Sequence, residues 1–176
     1  VSYYIEDEEN KILFDTGYSD IFIKNAKKMN INLENLNKLV ISHGHNDHTG
    51  GLEHFIKTIQ NKNIELIAHP HCFYKKYFEK EYIGIPVTKE ILEENFKLNL
   101  SNMPIQISEN IIYLGEIPNL NDFENREIIG NYENKNELET IISKRQEYEI
   151  AKKNHNQANH QIQILASSHC TDENAY

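Results

Sequence analysis

Apolar residues along the chain fall into short blocks separated by polar segments, and the blocks differ in their periodicity. Ser2–Ile5 and Lys11–Phe14 have the length of strands and flank an acidic turn at Glu6–Asn10, which predicts a hairpin. Lys38–Ser42 and Ile64–Ala68 are largely apolar without alternation, a pattern typical of strands that are buried on both faces.

Two helical segments alternate with these strands. Ser19 or Asp20 can cap a helix that runs to about residue 29, with four apolar side chains on one face: Ile21, Phe22, Ala26 and Met29. Gly50–Gln60 predicts a second helix between the two apolar strands. Alternation of strand and helix predicts an α/β domain whose catalytic groups lie on loops beyond the strand ends.

The rest of the chain has weaker patterns. Phe73–Pro104 mixes aromatic and charged residues and predicts no regular element, whereas Pro104–Gly115 resembles a hairpin that turns at Ser108–Asn110. Glu137–Lys153 predicts a charged helix, and Gln161–Ala166 predicts a last strand, followed by a turn or helix. Without repeats or a clear linker, we expect a single domain over residues 1–176.

Charge and composition narrow the function classes. The formal net charge of −9 argues against nucleic-acid binding, because an acidic surface repels phosphate backbones. Two widely separated cysteines favour a reduced, cytoplasmic protein, and no apolar run is long enough to span a membrane. We therefore expect a small-molecule substrate. The basic residues that could meet an anionic group are each expected to be solvated surface charges: Lys75, Lys76 and Arg126.

The densest chemical signal is the segment Ser42–Leu52, which reads Ser-His-Gly-His-Asn-Asp-His-Thr-Gly-Gly-Leu. Directly after a strand, His43 and His45 can point the same way, whereas Asp47 and His48 come later in the turn. Two ligand pairs on one short loop suit two neighbouring metal ions. Imidazole with carboxylate favours zinc, with iron or manganese as alternatives.

The order His-x-His-x-Asp-His after an apolar strand resembles the signature of the metallo-β-lactamase superfamily, an αββα sandwich. Phe14–Gly17 is similar to the superfamily's strand-ending Asp-Thr-Gly segment, in which Asp15 would brace the metal loop from behind the ligands. Leu114–Pro118 and Ser168–Thr171 resemble segments of the branch that contains the pterin synthases of methanopterin biosynthesis.

The resemblance implies specific ligands and a reaction. His43 and His45 would bind one zinc ion, and the second would be bound by Asp47, His48 and His169. A metal-bound hydroxide, oriented by Asp47, would attack a small ester or phosphoester. A pterin-synthase-like transferase and a non-catalytic metal-binding remnant are the alternatives.

The chain also departs from the superfamily's pattern. The resemblance covers about the first 124 and last 20 residues, and neither the third histidine of the first metal nor a bridging ligand is found. We therefore expect an incomplete second half. Three explanations stay open: a shortened chain, a divergent protein without turnover, or completion by other residues. His69–Cys72 is the best candidate for completion, although a substrate-side loop is the favoured interpretation of it. Substrate, metal identity and oligomeric state are not determined.

Overall fold

The computed structural model describes residues 1–116 and the backbone of three later strands, and its largest element is a six-stranded sheet. The sheet has the order β12-β1-β2-β3-β4-β7. Its strands are β1 (Ser2–Asp7), β2 (Asn10–Phe14), β3 (Lys38–Val40), β4 (Glu65–Ala68), β7 (Lys97–Leu100) and β12 (Gln161–Ala166). The predicted hairpin and the predicted last strand are both confirmed.

The direction of the strands changes across this sheet. β12, β1 and β2 are antiparallel neighbours, whereas β2, β3, β4 and β7 run parallel to one another. In the parallel part Leu39 lies opposite Leu13 and Leu66, so all carboxyl ends meet at one edge. That edge is where loops of an α/β sheet form ligand sites.

Both faces of the parallel strands are buried, as predicted from their apolar runs. Leu13, Leu39 and Leu66 belong to a core that also contains Phe22 and Phe55 from two helices. The alternate residues point to the opposite face and pack with a small two-stranded hairpin: Ile12, Val40 and Ile67. The hairpin is formed by β8 (Ile105–Gln106) and β9 (Ile112–Tyr113), which confirms the predicted turn around residues 108–110.

Four α-helices lie within the described residues: α1 (Ile21–Lys28), α2 (Asn46–Thr49), α3 (Leu52–Thr58) and α4 (Lys89–Asn95). Two short 3₁₀ turns span Leu33–Asn35 and Pro70–Phe73. In the first helix Phe22 and Ala26 are buried as predicted, but Ile21 and Met29 are 52% and 42% exposed. The apolar stripe of this helix is therefore narrower than its sequence suggested.

The last helix and its strand were not predicted. Thr88 begins α4 by accepting a hydrogen bond from the backbone N–H of Ile91, and β7 follows directly at the edge of the main sheet. Most residues of this helix are charged or polar, so apolar periodicity gave no signal for it.

A second sheet contains four strands in the order β11-β10-β5-β6. They are β5 (Lys76–Phe78), β6 (Glu81–Tyr82), β10 (Ile128–Asn134) and β11 (Glu137–Ile142). The prediction of a charged helix is wrong over Glu137–Ile142, which forms a strand paired with β10. Strand pairing overrode the helix propensity of the glutamates, because a partner strand supplies hydrogen bonds that propensity cannot foresee. Residues 143–153 and 167–176 lie outside the described residues.

The two sheets with helices confirm the predicted α/β class. No helix of the described residues combines the length and the apolar character needed to cross a bilayer.

Candidate metal centre

The histidine-rich loop begins where β3 ends. The backbone N–H of Ile41 still bonds to the carbonyl of Ile67, after which the chain leaves the sheet at Ser42. His45 occupies the N-cap position of α2, and this single helical turn carries Asp47 and His48. The loop is therefore held between a strand end and a helix start, both of which are fixed by backbone hydrogen bonds.

Ligand-type atoms converge on this loop. One donor atom from each of His43, Asp47 and His48 lies within 4.8 Å of the other two, and this is the one such group of three or more that the described residues contain. His45 lies beside this group, with its Nδ1 3.0 Å from Nε2 of His43. Nε2 of His48 lies 3.2 Å from Oδ2 of Asp47.

These separations suit a metal ion. Two ligand atoms of a tetrahedral zinc lie roughly 3.3 Å apart, since each is about 2 Å from the ion. The pair of His43 and His45 and the pair of Asp47 and His48 both have close to this spacing. The donor set of imidazole nitrogens and one carboxylate therefore fits zinc, and also iron or manganese.

Asp15 and Ser42 hold the imidazoles of His43 and His48 in place. Oδ2 of Asp15 lies 2.7 Å from Nδ1 of His48 and 2.8 Å from Oγ of Ser42. The same hydroxyl lies 3.0 Å from Nδ1 of His43. Because a carboxylate only accepts, His48 and Ser42 donate to Asp15, and the hydroxyl oxygen is left to accept from His43. With Nδ1 used in this way, Nε2 is the nitrogen by which each ring can bind a metal ion.

Asp15 reaches this position through an unusual backbone. Its φ of 57° is in the left-handed region, which aspartate tolerates better than most side chains. Its N–H donates to the carbonyl of Val40, and Thr16 donates both its N–H and its hydroxyl to the carbonyl of His48. Gly17 then pairs with Thr49 in a parallel bridge. The Asp-Thr-Gly segment thus contacts the metal loop along its whole length.

The other side of the loop is packed against two segments that the sequence did not connect to it. A side chain on Gly44 would overlap the carbonyl oxygen of Cys72, so the loop must have glycine here. The N–H of Asn46 donates to the carbonyl of Ile83, and His45 forms an antiparallel bridge with Gly84. The 3₁₀ turn after β4 and the chain after β6 therefore support the loop from outside the motif.

His69 and His71 lie outside the cluster, although they also follow a parallel strand. Nδ1 of His69 accepts a hydrogen bond from the backbone N–H of His71 and caps the 3₁₀ turn. Burial, and then the charge of His71, lowers the pKa of His69, so this imidazole is neutral at pH 7 with its proton on Nε2. The structure brings neither histidine to the metal loop as a ligand.

The prediction that Lys76 is a solvated surface charge is wrong. Lys76 is buried, not solvated, and burial lowers the pKa of its ammonium to about 8. Lys75 is exposed as expected. His169 and Arg126 lie outside the described residues, so the assignment of His169 as a ligand stays a prediction.

Comparison with known proteins shows to which family the chain belongs. Residues 1–105 match the sequence model of the metallo-β-lactamase superfamily. The chain belongs to the metallo-β-lactamase superfamily. The match covers Asp15 and the whole histidine loop.

Two curated relatives come from the archaeon Methanocaldococcus jannaschii. A 7,8-dihydropterin-6-methyl-4-(β-D-ribofuranosyl)-aminobenzene-5′-phosphate synthase is 37% identical over 149 residues, which is 77% of this chain and 50% of the relative. An uncharacterised protein is 34% identical over 124 residues, 70% of this chain and 48% of the relative. The chain thus spans about half the length of the curated relatives it matches.

A similar solved structure is a metal-dependent hydrolase of the β-lactamase superfamily. It is 25% identical, covers 80% of this chain and 57% of its own, and has a TM-score of 0.62. This likeness agrees with the predicted fold, and the pterin synthase agrees with the predicted branch of the metallo-β-lactamase superfamily.

Proposed function

We propose that this protein is a metal-dependent hydrolase that cleaves a small ester or phosphoester. The observation that carries the proposal is the convergence of His43, Asp47 and His48, with His45 beside them, at the carboxyl edge of a parallel sheet. Four ligand-type side chains with this spacing form a donor set that suits a divalent cation. Their oriented Nε2 atoms support binding of a cation.

Different residues of the protein would bind the metal ions, orient the water and align the ligands. His43 and His45 would hold one ion, and Asp47 and His48 a second, with His169 as a further ligand. A bound divalent ion such as zinc supplies a water activated near neutral pH and stabilises negative charge on the substrate. Asp47 would orient that water and accept its proton. Asp15 and Ser42 would keep the imidazoles aligned while charge changes at the site.

Metal content and hydrolysis together test this function. The purified chain is expected to bind up to two equivalents of zinc and then to release p-nitrophenolate from bis(p-nitrophenyl) phosphate. His48→Ala should bind at most one equivalent of zinc and lose hydrolysis. His54→Ala is the matched control, because this histidine is exposed on α3, away from the cluster, and should retain full zinc binding and hydrolysis. Hydrolysis that persists unchanged in His48→Ala would reject the metal mechanism.

A transferase is the second candidate, and the identity of 37% to the pterin synthase favours it. The product named for that relative joins a dihydropterin methyl carbon to an aminobenzene that carries a ribosyl phosphate. In such a reaction the amine nitrogen attacks the methyl carbon, a leaving group such as diphosphate departs with the electron pair, and the amine releases one proton to water. A cation held by the same side chains would neutralise charge on the departing phosphate oxygens.

The two candidates differ in their products. The metal-loaded chain would be given a dihydropterin with diphosphate on its 6-methyl carbon, together with the aminobenzene ribosyl phosphate. Mass spectrometry then distinguishes the joined product of a transferase from the hydroxymethyl pterin that hydrolysis releases. A chain that binds metal but forms neither product, and leaves the phosphodiester intact, would support the non-catalytic remnant instead.

A further inference from the structure

Lys76 is a buried cation in the first position of β5. Its residue is 5% exposed, and none of the carboxylates in the described part of the chain forms an ion pair with it. Removing an ammonium group from water is strongly unfavourable unless other contacts compensate. A lysine in this position therefore needs a structural reason.

The ammonium is bonded to the turn that follows β4. Nζ donates to the carbonyl oxygens of His71 at 2.9 Å, Cys72 at 3.0 Å and Tyr74 at 3.0 Å. Three acceptors match the three protons of an ammonium group, so its donors are fully used. The charge fixes three carbonyls of one turn around a single point.

That turn touches the metal loop at Gly44. An ideal Cβ on Gly44 would lie 2.7 Å from Nζ of Lys76 and would overlap the Cys72 carbonyl. Gly44 separates His43 from His45, so the backbone between these two histidines rests on the lysine and on the turn it holds. Any displacement of the turn would reach both imidazoles.

The backbone of Lys76 contacts the same loop by a second route. The N–H of Ile83 donates to the carbonyl of Lys76, and the carbonyl of Ile83 accepts from the N–H of Asn46. The bridge between His45 and Gly84 lies beside this connection. Lys76 is thus linked to the metal loop through its side chain on one side and through Ile83, directly after β6, on the other.

We propose that Lys76 is a positioning residue for the metal site. It holds the turn after β4 against Gly44 and thereby keeps the metal loop in a geometry that binds an ion. The inference rests on the proposed metal site. The charge and the positioning role of Lys76 have opposite effects on metal binding, so they can be told apart. A buried positive charge by itself repels a divalent cation. If the lysine acted only through its charge, removing the charge would strengthen metal binding. If it acts by positioning, removal weakens metal binding.

The experiment measures zinc affinity of the full chain by competition with a fluorescent chelator, and it records Co²⁺ absorption to report ligand geometry. Lys76→Met keeps the length of the side chain and removes its donors. Lys75→Met makes the same change of net charge at the exposed neighbour and is the matched control. Lys76→Arg keeps the charge and several donors.

We expect Lys76→Met to lower zinc affinity about 10- to 100-fold, as is typical when a group that orients metal ligands is removed. Its Co²⁺ spectrum should change, Lys75→Met should match the original protein within about twofold, and Lys76→Arg should recover part of the loss. Unchanged or higher affinity in Lys76→Met would overturn the inference.

Two safeguards keep the result decisive. If circular dichroism shows that Lys76→Met is unfolded, Lys76→Gln, which retains two N–H donors, replaces it in the same titration with the same thresholds. If the original protein itself binds no zinc or Co²⁺, the proposed function has failed. If it binds metal and the Lys76 variants bind equally well, the positioning role alone has failed.

Discussion

Two histidine-rich segments follow neighbouring parallel strands in this protein, and they use their histidines in different ways. In the metal loop after β3, Nδ1 of His43 and His48 meets Ser42 and Asp15, so Nε2 of both rings faces the cluster. In the turn after β4, Nδ1 of His69 accepts from the N–H of His71, whose ring stacks on Tyr74. The first arrangement leaves Nε2 of both rings available to an ion, whereas the second uses its histidines to stabilise a turn.

The difference teaches that the partner of Nδ1 decides what a histidine can do. A carboxylate or hydroxyl behind the ring leaves the far nitrogen as a ligand, while a backbone N–H donor places the proton on that nitrogen. Residue type and position after a strand are the same in the two segments, so neither property separates them.

The largest expected effect compares His43→Ala with His71→Ala. His43 lies both in the three-residue cluster and next to His45, so its loss should lower zinc affinity by more than about 100-fold, beyond the effect of an outer residue. His71→Ala keeps the backbone N–H that His69 needs and should leave affinity unchanged. Zinc affinity would be measured by chelator competition. If both variants lost the same affinity, the two segments would not differ in metal binding.

The next effect concerns Asp15. Asp15→Asn preserves the left-handed backbone, which asparagine also tolerates, but it puts an amide where two donors now meet a carboxylate oxygen. We expect zinc affinity to fall about 10- to 100-fold. Asp20→Asn is the control, because its carboxylate pairs with Lys24 on the surface. An Asp15→Asn protein with full affinity would show that the brace is dispensable.

A third prediction concerns the free energy of unfolding at alkaline pH. Burial raises the pKa of the Cys72 thiol to about 11, from 9.0 in an unfolded chain. Between these values the unfolded state loses its proton first, so the contribution of Cys72 to stability falls as pH rises. The fall is at most about 1.4 kcal/mol for each pH unit.

Urea unfolding of the original protein and of Cys72→Ala from pH 8 to 11 isolates this contribution. The comparison is needed because Lys76, with its lowered pKa, changes stability in the opposite direction between about pH 8 and 10.5. The difference between the two proteins should be constant below pH 9 and shrink above it. A difference independent of pH would mean that the thiol has the same pKa in the folded and the unfolded protein, which would contradict an effect of burial.

The smallest effect is that of His69→Ala. Loss of the cap on the 3₁₀ turn should lower the free energy of unfolding by about 1 kcal/mol. Zinc affinity should stay within about twofold, since this ring lies outside the cluster. A large loss of affinity without a loss of stability would instead make His69 part of the metal site.

Local patterns predicted those parts of the fold that depend on nearby residues. Apolar runs specified the strands at Lys38–Val40 and Glu65–Ala68, and turn residues specified the hairpin around residues 108–110. The strand Glu137–Ile142 was mistaken for a helix because its partner Ile128–Asn134 supplies the decisive hydrogen bonds. Lys76 was mistaken for a surface charge because its three carbonyl partners become neighbours only when the turn forms.

The amino-acid sequence alone determined the chemistry of this protein: which side chains offer nitrogen or oxygen to a cation, and that a buried strand presents them together. Their order within six residues makes this a local property. The family resemblance already pointed to Asp15 as a brace, but only the tertiary structure decided which atoms Asp15 contacts. It also decided that the turn after β4 and the chain after β6 hold the loop, because both reach it from separate parts of the chain. The contacts between them are made by folding, and no spacing along the sequence encodes them.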